Sequence, residues 1–210
     1  RVPGQFLLTG SANVLLLPKL SESLAGRLEL LHLWPFSQGE LHGRVDRLVD
    51  VLFDQSSRHW SLDLVGEDGP GLWERVVTGG YPEAQTRSSA RRRRSWFDSY
   101  ITTILQRDVR ELAHIDGLGS LPRVLELLAS RTGGLQNFSE LSRSLSIPQT
   151  SLKRYLALLE ATFLVRSLAP WSSNLGKRLV KSPKTYLLDT GLVSSLVGLY
   201  DPEALRQSPL

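Results

Sequence analysis

Residues 138–161 read FSELSRSLSIPQTSLKRYLALLEA, two short apolar stripes separated by a Ser-Ile-Pro break. Ser139 is placed to cap a first helix that turns Leu141 and Leu145 inward. Pro148 is tolerated in the first turn of a second helix starting near Gln149. The apolar stripe of that second helix is Leu152, Tyr155, Leu156 and Leu159, so Gln149, Thr150, Lys153 and Arg154 fall on the opposite face. A supporting helix, a tight turn and a second helix with polar and basic residues near its start make a helix-turn-helix.

Downstream, FLVRSL (163–168) and KTYLLD (184–189) read as strands. The segment between them carries Trp171, Asn174, Lys177, Arg178 and Lys181. Two strands around a basic loop after such a helix pair predict a winged helix. Its DNA-facing set would be Gln149, Thr150, Lys153, Arg154, Lys177, Arg178 and Lys181. The same pattern also suits a protein-docking module, because a charged outer helix face is often only solvated.

Upstream, GLGSLP (117–122) is a break, and Pro122 opens a helix with Val124, Leu125, Leu127 and Leu128, ended by Gly133-Gly134. Before the break lies a longer helix. Ser88 and Ser89 can cap it, and Phe97, Ile101, Ile104, Leu105, Val109 and Leu112 recur every three to four residues. It opens with Arg91–Arg94, where cations oppose the helix dipole. That points to an acidic or nucleic-acid partner, against a solvated turn beside Asp98 and Asp108. LWERVVTGGYPEAQ (72–85) predicts a short helix stopped by Gly79-Gly80. Helix is expected around Val45–Phe53, and in pieces over Val14–Leu24. Strands are expected over Gln5–Thr9 and Leu28–Ser37.

The chain has 210 residues and a formal net charge of +4, unevenly spread. Residues 1–90 sum to −3, residues 91–184 to +9 and residues 185–210 to −2. A concentrated excess of this kind favours a polyanionic partner. Cysteine is absent, which removes disulfides, thiolate zinc sites and cysteine nucleophiles and favours a reducing cytoplasm. The four histidines have no ligand spacing, so no metal site is expected. No Gly-x-Ser-x-Gly elbow and no Gly-x-x-x-x-Gly-Lys-Ser/Thr loop occurs. YLLDT (186–190) could pass for a magnesium-binding strand end, but without a phosphate loop an ordinary strand end is the better reading. No apolar run approaches the length of a bilayer span. Methionine is also absent and the sequence opens on Arg1, from which we expect an internal fragment.

Three blocks bring a family into view: FLLTGSANVLLLPKLSESLAGRLELLHLWPFSQGEL, GGYPEAQTRSSARRRRSWFDSYITTILQRDVREL and NLGKRLVKSPKTYLLDTGL. In this order they resemble prokaryotic AAA+ ATPases that carry a C-terminal domain of unknown function. The resemblance implies a mostly α fold with few strands (α+β). Residues 1–36 would be a remnant of the ATPase core with its sensor strand, 37–117 a helical connector, 118–200 a winged helix and 201–210 a tail. It also implies a restriction-endonuclease-like module whose motif this sequence does not contain. Thr9 and Ser11 would sit near the γ-phosphate, and Arg27 would read nucleotide state. ATP and magnesium would belong to the parent ATPase. This chain, without a phosphate loop, is expected to hold neither and to carry no catalytic residue. The expected partners are DNA, a protein, or a second copy through the N-terminal strand, with no membrane.

Overall fold

The computed structural model describes residues 5–11, 27–45, 48–53, 70–113, 118–174, 176 and 181–208. These residues are mostly helical with one small sheet. They fall into two units, one drawn from Arg1–His32 and Asp98–Leu188, the other from Leu33–Phe97 and Asp189–Leu210.

In chain order the helices are α1 (Gln38–Leu41), α2 (Leu48–Phe53), α3 (Pro70–Thr78), α4 (Pro82–Gln85), α5 (Ala90–Thr103), α6 (Val109–Ala113), α7 (Leu121–Ala129), α8 (Phe138–Leu145), α9 (Gln149–Ala161), α10 (Thr190–Leu196) and α11 (Pro202–Gln207). A π-helical turn, Ile104–Asp108, joins α5 to α6. The two strands are β1 (Val165–Leu168) and β2 (Lys184–Leu187).

In the first unit, α7 buries Leu121, Val124, Leu125 and Leu128 on one stripe, and α9 buries Leu152, Leu156 and Leu159. Burying a leucine side chain is worth about 1.5–3 kcal/mol, so these two stripes are the main store of stability here. Ile104, Leu105 and Val109 add to the same core. The cap of α8 is Asn137, whose side chain accepts the Glu140 N–H at 3.1 Å. Ser139, expected in that role, is already the second helical residue, too late to hold the first free N–H groups. Its hydroxyl instead accepts from Gln149 Nε2 at 3.3 Å.

Strand β1 pairs antiparallel with β2, in the register Val165–Leu187, Arg166–Tyr186, Ser167–Thr185 and Leu168–Lys184. Leu135 adds a bridge on the far side of Lys184. Alternation sends Val165, Ser167, Thr185 and Leu187 inward. The polar members of that inner face are satisfied by Gln136, whose Nε2 donates to Ser167 Oγ at 3.1 Å and Thr185 Oγ1 at 3.0 Å.

In the second unit, α3 packs on α10 and α11, around Val77, Ala84, Phe97 and Leu192. Helix α1 begins with a reciprocal capping box, Ser37 Oγ to the Glu40 N–H and Glu40 Oε2 to the Ser37 N–H. Gly79, at φ +72°, stops α3. Gly80 then has its N–H on Asp189 Oδ2 and its carbonyl on the Phe36 N–H, at 2.5 and 2.8 Å.

Residues 5–10 and 28–34 take no regular secondary structure, where strands over Gln5–Thr9 and Leu28–Ser37 were expected. A strand is held by its ladder, and among the described residues no neighbour pairs with either stretch. Phe6, Leu7, Leu31 and Leu33 are exposed accordingly. The helix expected in pieces over Val14–Leu24 lies outside the described residues.

Candidate nucleic-acid interface

The turn between α8 and α9 is built from its own backbone. Ser146 takes a left-handed conformation at φ 56°, ψ 40°, which reverses the chain after α8. The Ile147 N–H then closes on the Ser142 carbonyl at 3.1 Å, and Ser142 Oγ donates to the Ile147 carbonyl at 2.5 Å. Pro148 lets α9 start at once. Because the apolar stripe of α9 faces the core, Gln149, Thr150, Lys153 and Arg154 emerge together on its outer side, all four exposed.

Two of these side chains are positioned by α8. Gln149 is tied to Ser139, and the Lys153 ammonium lies 5.5 Å from the centre of the Phe138 ring. That is within cation–π range, worth about 0.5–1 kcal/mol at an exposed site. The first turns of α9 therefore present an ordered polar surface. On the β1–β2 connection Lys181 is exposed, while Lys177 and Arg178 lie outside the described residues. Thr9, Ser11 and Arg27 are exposed.

Other cations appear that helix-face reasoning did not select. Arg166 and Lys184 stand on the outward face of the sheet, exposed. The signal was the alternation in FLVRSL and KTYLL, which puts both out of phase with their buried neighbours. The run Arg91–Arg94 divides. Arg91 and Arg92 are exposed, whereas Arg93 is buried and paired with Glu74 at 2.9 Å, and Arg94 stacks 4.0 Å from the centre of the Tyr200 ring. Arg94 is itself exposed, so Arg93 alone of that basic run is buried.

Asp189, the acid of YLLDT, is buried. Its Oδ1 accepts the Leu192 N–H at 2.7 Å, capping α10, and its Oδ2 accepts from Gly80. Burial pushes its carboxyl above the usual aspartate range, against the lowering effect of the Gly80, Leu192 and Gly191 N–H groups. Both oxygens are committed to backbone donors, which makes the residue a tie between segments. Among the described residues no group of three His, Asp or Glu is arranged to hold a metal ion.

Comparison with known proteins gives two family matches: a domain of unknown function, DUF8612, over residues 69–203, and an AAA domain over residues 1–42. An uncharacterized protein of Mycobacterium tuberculosis is 38% identical over 208 residues, covering 99% of this chain and 41% of that protein. A counterpart in Mycobacterium bovis gives the same figures. An uncharacterized protein of Haemophilus influenzae is 28% identical over 203 residues, covering 91% of this chain and 46% of its own length. The chain thus spans less than half the length of these relatives. Among the described residues no helix is long and apolar enough to cross a membrane. The DUF8612 match covers well over half of the chain and includes both the helix pair and the sheet, and the chain belongs to that family.

Proposed function

We propose that this chain links an AAA-type nucleotide-binding core to a winged helix, and that the winged helix engages duplex DNA under nucleotide control. One observation carries the DNA half of this reading. Gln149, Thr150, Lys153 and Arg154 share the exposed side of α9, the second helix of a helix–turn–helix, directly before a two-stranded hairpin. The order α7, Leu135 bridge, α8, α9, β1, β2 is compatible with a winged helix, in which α9 would enter the major groove. Lys153 and Arg154 would then neutralise phosphates, and Gln149 has the amide geometry that reads adenine. Lys177, Arg178 and Lys181 on the hairpin connection would hold the flanking backbone.

The nucleotide half rests on the AAA match at residues 1–42. Arg27 is the proposed reader of nucleotide state, with Thr9 and Ser11 beside the γ-phosphate. The sequence has no phosphate loop, so in this reading ATP and magnesium would belong to the parent ATPase. No hydrolytic step is assigned to the residues of this chain.

The test is fluorescence anisotropy with a labelled random-sequence duplex at low and moderate salt, on the wild-type chain and the Lys153→Glu/Arg154→Glu variant. If three phosphates are neutralised, affinity falls roughly 40-fold between about 50 and 200 mM salt, and the variant loses most of what remains. Absence of binding at low salt would overturn the DNA reading and leave the helix pair as a protein-docking module.

A further inference from the structure

The sheet has a second surface that the DNA reading does not use. Its inner face rests on α7 and α9, so its outer face looks away from the core and from α9. Register fixes what stands there. Leu135, Lys184 and Leu168 form one row across the three paired segments, and Tyr186 and Arg166 form the next. Leu135 is 70% exposed, Leu168 53% and Tyr186 36%, and Trp171 stands exposed three residues past β1. The Tyr186 ring lies against Gly133, where a β-carbon would come within 3.4 Å of it.

We infer that this outer face docks a protein segment that is both amphipathic and acidic. Two leucines and a tyrosine stand exposed together on this face, an apolar patch with an aromatic of the kind that anchors interfaces. The acidic half follows from where Lys184 sits. Any partner that covers Leu135 and Leu168 together also covers the lysine between them. Desolvating an ammonium without an opposite charge is costly, so the partner must bring a carboxylate to that point. By sequence, Asp98–Leu188 of this unit carries 12 Lys+Arg against 7 Asp+Glu, or +5, a sign that would draw such a segment in over a longer range. Nucleic acid fits less well, since phosphates bring nothing apolar to meet two leucines and only one aromatic ring lies in the sheet face.

The experiment uses the full chain with labelled leucine methyl groups, titrated by NMR with two peptides about 15 residues long. Both carry leucines on one helical face; one has glutamates elsewhere and the other lysines. A short oligo(dT) strand is the third probe. The inference expects the Leu135 and Leu168 methyl signals to move with the acidic peptide alone. Lys184→Glu should weaken that binding roughly tenfold or more and turn the preference to the lysine peptide, a swap that a misfolded variant could not show. Lys153→Glu/Arg154→Glu, off the sheet face, should weaken it far less than Lys184→Glu, through long-range charge alone, which separates this surface from the DNA-facing one. Equal response to both peptides, response to oligo(dT) alone, or no response at millimolar peptide would each overturn it.

Discussion

The two units differ in where their charged residues stand. In the second, Arg93, Asp189 and the Gly79–Gly80 corner are turned inward to hold distant segments together. Arg93 reaches Glu74, Arg94 covers Tyr200, and Asp189 binds the N–H groups of both Gly80 and Leu192. In the first, the core is made by leucine and valine stripes, and the polar residues of α9 and the outer sheet face are left exposed. A basic residue near a helix start thus means two different things. In α5 Arg93 is buried against Glu74, while in α9 Lys153 and Arg154 stand on an exposed helix face.

The sharpest way to break this contrast is at Gly80. A β-carbon there would land on the Phe36 carbonyl oxygen, backbone against backbone. Gly80→Ala should cost on the order of 3 kcal/mol or more, read as a shift in the denaturant midpoint. A loss under about 1 kcal/mol would show that the corner relaxes and that the polar ties are not needed. The next largest effect is expected at Arg93. Arg93→Ala removes a buried guanidinium and its packed stem, but Glu74 is half exposed and can be solvated, so the cost should be about 1–2 kcal/mol. Lys153→Ala, at an exposed position, should cost no more than about 0.5–1 kcal/mol. Equal losses at the two sites would remove the distinction between structural and surface cations.

Much of the first unit was legible because its signals are local. The spacing of Leu152, Leu156 and Leu159 gave α9 and its outer face together, and the alternation in KTYL gave β2. The second unit was harder because its ties join residues far apart in sequence. Nothing in YLLDT announces that Asp189 meets Gly80, 109 positions away. Arg93 could have been found: it lies four residues before Phe97, on the same buried stripe, yet the run of four arginines reads as a charge block and hides the periodicity. The N-terminal stretches around Leu7 and Leu31 mislead for the opposite reason. Their composition is that of strands, but composition supplies no neighbouring strand to pair with. The exposed side chains of α9 could be named from sequence, and their use could not, since a solvated face and a DNA-reading face have the same pattern.

The smallest of the expected effects tests how the second unit holds its charge. The native Asp189 carboxyl binds its proton more tightly than it would in the unfolded chain, because burial outweighs the three backbone N–H groups. Between the ordinary aspartate range and the raised native value the folded state therefore holds more protons than the unfolded one, and stability from this residue declines as pH rises. It is fully present below the unfolded value and lost above the folded one. Asp189→Asn has no such titration. The variant still offers an oxygen to cap α10, but its amide group faces the Gly80 N–H, so it starts less stable than the wild type. Its deficit should then shrink as pH is raised through that window, followed by denaturation at a series of pH values. A deficit that grows with pH would mean that the hydrogen bonds from Gly80 and Leu192 outweigh burial. Asp189 would then be a stabilising anion, and the inward-turned polar residues of the second unit would be held by charge as well as by shape.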